Sequence, residues 1–125
     1  MRLVLLLCLL TTASASAVPV TFRVQMSEQI ARGRFDPATQ FVDVAGSFNA
    51  WGGQPARLAD PDGDRIYEAT LDGFQPGATV EFKFRIDGAW NGLEEFAGGG
   101  PNRTYVVQSG ANTLTVWYND EAPAS

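Results

Sequence analysis

Val80, Phe82, Phe84 and Ile86 alternate with Glu81, Lys83, Arg85 and Asp87. Successive side chains of a strand point to opposite faces, so Thr79–Asp87 reads as a strand with an aromatic and aliphatic side turned inward. A strand of that kind needs a second apolar layer to cover it. The rest of the chain offers one. Val20, Phe22, Val24 and Met26 alternate with Thr21, Arg23 and Gln25, and Phe41 to Ala45 carries Val42 and Val44 on one face. Ile66 to Leu71, Arg103 to Gln108 and Thr113 to Tyr118 add further short strands between turn-forming residues. Helical periodicity is confined to Ser27–Arg34, where Ile30 is the aliphatic anchor and Gly33 a stop. The expectation is an all-β sandwich of about six to eight antiparallel strands.

Met1-Arg2, the apolar run Leu3–Leu10 and the small-residue sequence Ala15-Ser16-Ala17 have the three parts of a secretory signal peptide. The run is shorter than the roughly 20 residues a membrane span requires. Residues 1–17 are therefore expected to be a leader, 18–120 the folded domain and 121–125 a flexible tail, with the protein secreted or periplasmic. Cys8 falls inside the leader, so the mature chain would hold neither cysteine nor histidine. Loss of Arg2 would take the net charge from −5 to −6. An acidic surface disfavours nucleic acid and anionic membrane, leaving neutral ligands as the open class.

Two loop tryptophans then stand out. Trp51 follows Gly46-Ser47-Phe48-Asn49-Ala50 and precedes Gly52-Gly53; Trp90 lies between the turn signals Asp87-Gly88 and Asn91-Gly92. Tryptophan is usually well buried, but one held between tight turns is harder to bury than one in mid-strand. Strand parity puts Lys83 on the outward face between them, as an exposed donor. An indole ring can carry the apolar C–H face of a hexopyranose, and burying roughly 100 Å² there contributes about 2.5 kcal/mol. Two platforms, less the cost of ordering, give a dissociation constant on the order of 10 µM to 1 mM.

Gly46-Ser-Phe-Asn-Ala-Trp51 and Phe82-Lys-Phe-Arg-Ile-Asp-Gly-Ala-Trp90 resemble the glycogen-binding domain of the AMP-activated protein kinase β subunit, carbohydrate-binding module family 48. The related family 20 starch-binding modules share the first tryptophan, the aromatic-Lys-Phe strand and an Asn-Arg pair such as Asn102-Arg103. The resemblance spans Val42 to Val107. It implies an immunoglobulin-like sandwich that binds α-glucan without cleaving it. Trp51 and Trp90 would be the stacking platforms. Lys83 and Asn102 would bond sugar hydroxyls, and Glu95 would stand for the acidic residue of family 20. The implied partner is a polysaccharide, with a glycoside hydrolase as a further candidate. A protein-interaction module of the same fold, or a binder of another glycan, stays open.

No cofactor or metal is expected. Asp60-Pro61-Asp62-Gly63-Asp64 concentrates carboxylates, but its glycine and following glutamate are misplaced for a calcium-binding loop, and a Pro-Asp-Gly turn accounts for it. Glu94-Glu95 would point to opposite sides of a strand, unlike carboxylates facing each other across a hydrolase cleft. With no histidine or mature cysteine, the expectation is a protein that is not an enzyme. Trp117, in the last strand, is expected to cover the sheet.

Overall fold

The computed structural model describes residues 16–124. The proposed leader lies almost wholly outside the described residues. Among the described residues, six strands form two three-stranded sheets. One has the order β3 (Ile66–Phe74), β1 (Val18–Gln25), β6 (Asn112–Trp117); the other has β2 (Val42–Gly46), β4 (Thr79–Ile86), β5 (Arg103–Val106). Each alternating segment named from the sequence is a strand, with ends shifted by a few residues. The fold is a β-sandwich, as expected.

The core lies between the sheets. Val20, Phe22 and Val24 of β1 meet Val42 and Val44 of β2 and Val80, Phe82, Phe84 and Ile86 of β4. Phe22 packs edge-on against Phe82 at 5.1 Å between ring centroids and stacks on Phe48 at the same spacing. One pairing departs from the antiparallel expectation. β1 and β6 run parallel, with Phe22 opposite Leu114, whereas β1–β3, β2–β4 and β4–β5 are antiparallel. The first and last strands are joined only through the rest of the domain. No local turn dictates their direction, and alternation within a strand does not encode it.

The helix α1 is confined to Ser27–Ala31. Its buried residue is Gln29 rather than Ile30, which packs on the core from a half-buried position. The Gln29 amide donates to the Tyr118 carbonyl at 3.4 Å. Glu121, counted with the tail in the sequence, accepts from Arg34 Nη1 at 3.1 Å and from Arg32. Residues 56–58 add backbone bonds to β2, and Ala59 then pairs with Glu68 of β3. This segment thus carries the chain from one sheet to the other.

Candidate functional site

Trp51 and Trp90 come together on the outer side of the β2-β4-β5 sheet. Their ring centroids are 6.3 Å apart and their planes are inclined at 53°. Trp90 is 45% exposed and Trp51 is half-buried. The two indoles make an open, angled surface.

Each arrives on a specific turn. After β2, the buried Asn49 side chain accepts from Gly46 N at 2.8 Å and Gly52 N at 3.2 Å, and donates to the Val44 carbonyl at 2.8 Å. These bonds hold Ala50 and Trp51 in the left-handed region, with φ of 53° and 52°. Side-chain-bearing residues adopt that region only under constraint. After β4, Asp87 and Gly88 both have positive φ, and Ala89 N bonds to Ile86 O at 3.2 Å. That is the Asp-Gly hairpin turn the sequence signals. Asp87 is fixed further by accepting from Phe41 N at 3.2 Å and from the Gln40 amide at 3.1 Å. The chain returns beside β4 through Ile86 N to Leu93 O and Glu95 N to Phe84 O, both 2.9 Å. Trp90 therefore stands at the tip of a short hairpin.

Lys83 has the predicted parity but not the predicted exposure. Residues 81, 83, 85 and 87 face away from the core, yet Lys83 is only 6% exposed and Arg85 only 4%. Loops fold over the outer face of this central strand, which strand periodicity cannot foresee. Lys83 Nζ donates to the Gly100 carbonyl at 2.8 Å. The lysine thus ties the glycine-rich loop to β4. It lies one alternate position, about 7 Å along the strand, from Arg85, which touches Trp90.

Glu95 cannot meet a ligand. Its side chain is fully buried and accepts from Phe84 N (3.1 Å), Arg103 Nε (2.9 Å), Arg103 Nη2 (2.7 Å) and Asn119 N (2.8 Å). The expectation of a sugar contact there is corrected: a carboxylate with both oxygens bonded inside the fold is structural. Burial alone would lower the Arg103 guanidinium pKa, but Glu95 and then Asp120 raise it above its ordinary value. Asn102 is exposed and directly precedes β5, at the end of the loop that Lys83 fastens.

Two residues with a part in the site were not singled out by sequence. Arg85 donates to Asp43 through Nε (3.0 Å) and Nη2 (2.6 Å), and both side chains are about 95% or more buried. The Arg85 guanidinium carbon sits 4.8 Å from the Trp90 ring centroid. Opposite charges on neighbouring strands were the available signal, but it needed the register that sets Asp43 against Arg85.

Elsewhere, Asp60, Asp62 and Asp64 place carboxylate oxygens within 4.8 Å of one another. They accept from the backbone N–H groups of Arg65, Asp64 and Ile66, respectively, as side chains in a tight turn do. Burial, aided by Asp62 and Asp64, pushes the Asp60 carboxyl above its usual range. Trp117 is half-buried. A concavity of about 270 Å³ lies among Gln29, Ile86, Leu93, Glu94, Tyr118 and Asn119, and neither indole lines it. Several of its polar groups bond one another: Tyr118 Oη donates to Leu93 O, and Glu94 accepts from Gly92 N at 3.0 Å.

Fold and site together define a β-sandwich that presents a pair of inclined tryptophans on one sheet. No protein-family model matches the chain, and no curated protein matches it. Among solved structures it is similar to a glycoside hydrolase family 15 glucoamylase from Hypocrea jecorina, with a TM-score of 0.62 and 22% identity. That similarity covers 85% of this chain and 18% of the glucoamylase. The chain thus shares its sandwich fold with a small part of a much longer enzyme.

Proposed function

We propose that this protein binds α-glucan of the starch or glycogen type without cleaving it, by stacking sugar rings on Trp51 and Trp90. The observation that carries the reading is the 6.3 Å approach of the two indoles at an inclination of 53°. In an α-1,4-linked glucan the chain curves, so successive apolar sugar faces are tilted relative to each other. An inclined pair of platforms suits that curvature, whereas a flat β-1,4-linked ribbon suits coplanar ones. The resemblance to carbohydrate-binding module families 48 and 20 supports the same ligand class. So does a fold likeness to a protein whose name is glucoamylase.

In this reading Lys83 keeps the Gly98–Gly100 loop against the strand and directs its remaining N–H groups toward sugar hydroxyls. Asn102, exposed at the end of that loop, adds an amide contact. Glu95 has no part in binding. The leader would export the chain, where polysaccharide is the partner and a glycoside hydrolase is a candidate companion. A shallow two-ring platform gives modest affinity for one short chain and firmer retention on a polymer with many sites.

Affinity electrophoresis in gels containing amylopectin, glycogen, xylan or no polysaccharide tests this. Retardation in the first two gels alone is expected, with loss of retardation in the Trp51→Ala, Trp90→Ala double variant. Unretarded migration in every gel would overturn the reading, and retardation surviving in the double variant would move the site elsewhere.

A further inference from the structure

Arg85 is buried, yet it touches both loops of the platform. Its guanidinium lies 4.8 Å from the Trp90 ring centroid. On the other loop it packs so closely on Gly52 that a Cβ there would fall 2.1 Å from Nη2 and 2.5 Å from the guanidinium carbon. Gly52 also has φ +91°, so both the close approach and the backbone conformation require glycine. Asp43 grips the guanidinium by two hydrogen bonds, at 3.0 and 2.6 Å. Its Oδ2 lies beneath the second turn, where a Cβ on Gly88 would approach it to 3.5 Å. The pair is thus enclosed by the two turns that carry the tryptophans.

We infer that the Asp43–Arg85 pair is a positioning device that sets the angle between Trp51 and Trp90, and through it the affinity for a curved glucan. The inference rests on the platform reading above. Its physical basis is the planarity of the guanidinium. One flat group can present an edge to a carboxylate, press one region against the Gly52 backbone and another against an indole face, all in fixed geometry. A buried ion pair is a weak source of net stability, and apolar replacement of both partners is often tolerated. Sheet cohesion therefore does not by itself require this pair in this place. A rigid spacer between two loops does.

The test uses two variants, Asp43→Leu/Arg85→Met and Arg85→Lys. The first replaces both partners by apolar groups of similar shape; the second keeps the charge and removes the planar fork. Thermal unfolding establishes that each is folded. Far-ultraviolet circular dichroism near the indole transition then reads the exciton couplet of the Trp51–Trp90 pair, assigned by its loss in Trp51→Phe. The expected result in both variants is a couplet reduced at least two-fold or altered in sign. Retention on amylopectin should correspond to a dissociation constant raised by roughly ten-fold or more, while the melting transition stays cooperative. A folded variant with an unchanged couplet overturns the inference, whatever its glucan binding. Failure of the double variant to fold while Arg85→Lys keeps both couplet and binding also overturns it, because the pair is then only structural. If the wild-type protein binds no glucan, the functional reading fails separately, and the couplet still decides the role of Arg85.

Discussion

Arg85–Asp43 and Arg103–Glu95 are both buried guanidinium–carboxylate pairs beside β4, but their surroundings differ. Glu95 takes four hydrogen bonds, two of them from the backbone N–H groups of Phe84 and Asn119. It therefore joins β4, β5 and the turn after β6 on the inner side. Asp43 is held through its two bonds to Arg85, and the guanidinium spends its faces on Gly52 and Trp90. The first pair is embedded in backbone structure and the second lies under two surface loops. Burial alone does not distinguish them. The number of backbone groups each carboxylate satisfies, and what lies over the arginine, does.

That contrast breaks most sharply at Glu95. Glu95→Ala leaves the N–H groups of Phe84 and Asn119 without this acceptor and strips Arg103 of its buried carboxylate, although Trp117 O and Asp120 still accept from it. Unfolding free energy in urea should therefore fall by about 3–5 kcal/mol. A loss below about 1 kcal/mol would remove the distinction between the two pairs. Next comes the indole side. Trp90→Ala should weaken amylopectin binding by about 2.5 kcal/mol, on the order of 50–100-fold, with little change in urea stability because the ring is partly in water. A large stability loss there would make Trp90 a packing residue.

A smaller effect is expected at Tyr118, next to Glu95. Burial first, then the negative charges of Glu95, Glu94 and Asp43, raise its phenol pKa well above the ordinary 10.0. A raised folded value means that the contribution is complete below pH 10 and is lost as pH rises beyond it. Wild-type stability should therefore fall above about pH 10, and Tyr118→Phe should remove that part of the alkaline loss. At neutral pH the same variant should cost about 1 kcal/mol for the bond to Leu93 O. A wild-type profile flat above pH 10 would show that the phenol ionises freely.

The smallest effect belongs to Glu121. Burial would raise its carboxyl, but hydrogen bonds from Asn119 and Gln29 and the charges of Arg32 and Arg34 hold it below the ordinary 4.5. Its contribution is present above pH 4.5 and is lost as pH falls through the depressed folded value. Because these groups are partly solvated, Glu121→Gln should flatten the acid limb of the stability profile by about 0.2–1 kcal/mol. An unchanged acid limb would mean that the charge on Glu121 contributes nothing to stability.

Much of the sandwich was legible because period-two alternation is a local property. Val20 to Met26 and Val80 to Ile86 announce their strands and their inward faces without reference to anything distant. The tryptophan loops were legible for a similar reason: Asp87-Gly88 encodes a turn through positive φ, and Asn49 suits one. Lys83 shows where that stops. Alternation put it on the outer face correctly, but whether an outer face meets water depends on loops from residues 46–53 and 96–101. Glu95 shows the same limit from the other side: the resemblance implied a sugar contact there, but the fold brings Arg103 and two backbone N–H groups to its carboxylate.

By itself, then, the amino-acid order determined the strands, their faces, the turns and the presence of two loop-borne tryptophans, because each follows from a few neighbouring residues. Only the tertiary structure decided that the two indoles meet 6.3 Å apart at an inclination of 53°, that β1 and β6 run parallel, and that Arg85 is wedged beneath the pair. Those facts depend on the register of β2 against β4 and on the close approach of the guanidinium to the Gly52 backbone. Both are distances between residues more than thirty positions apart in sequence, and only packing sets them.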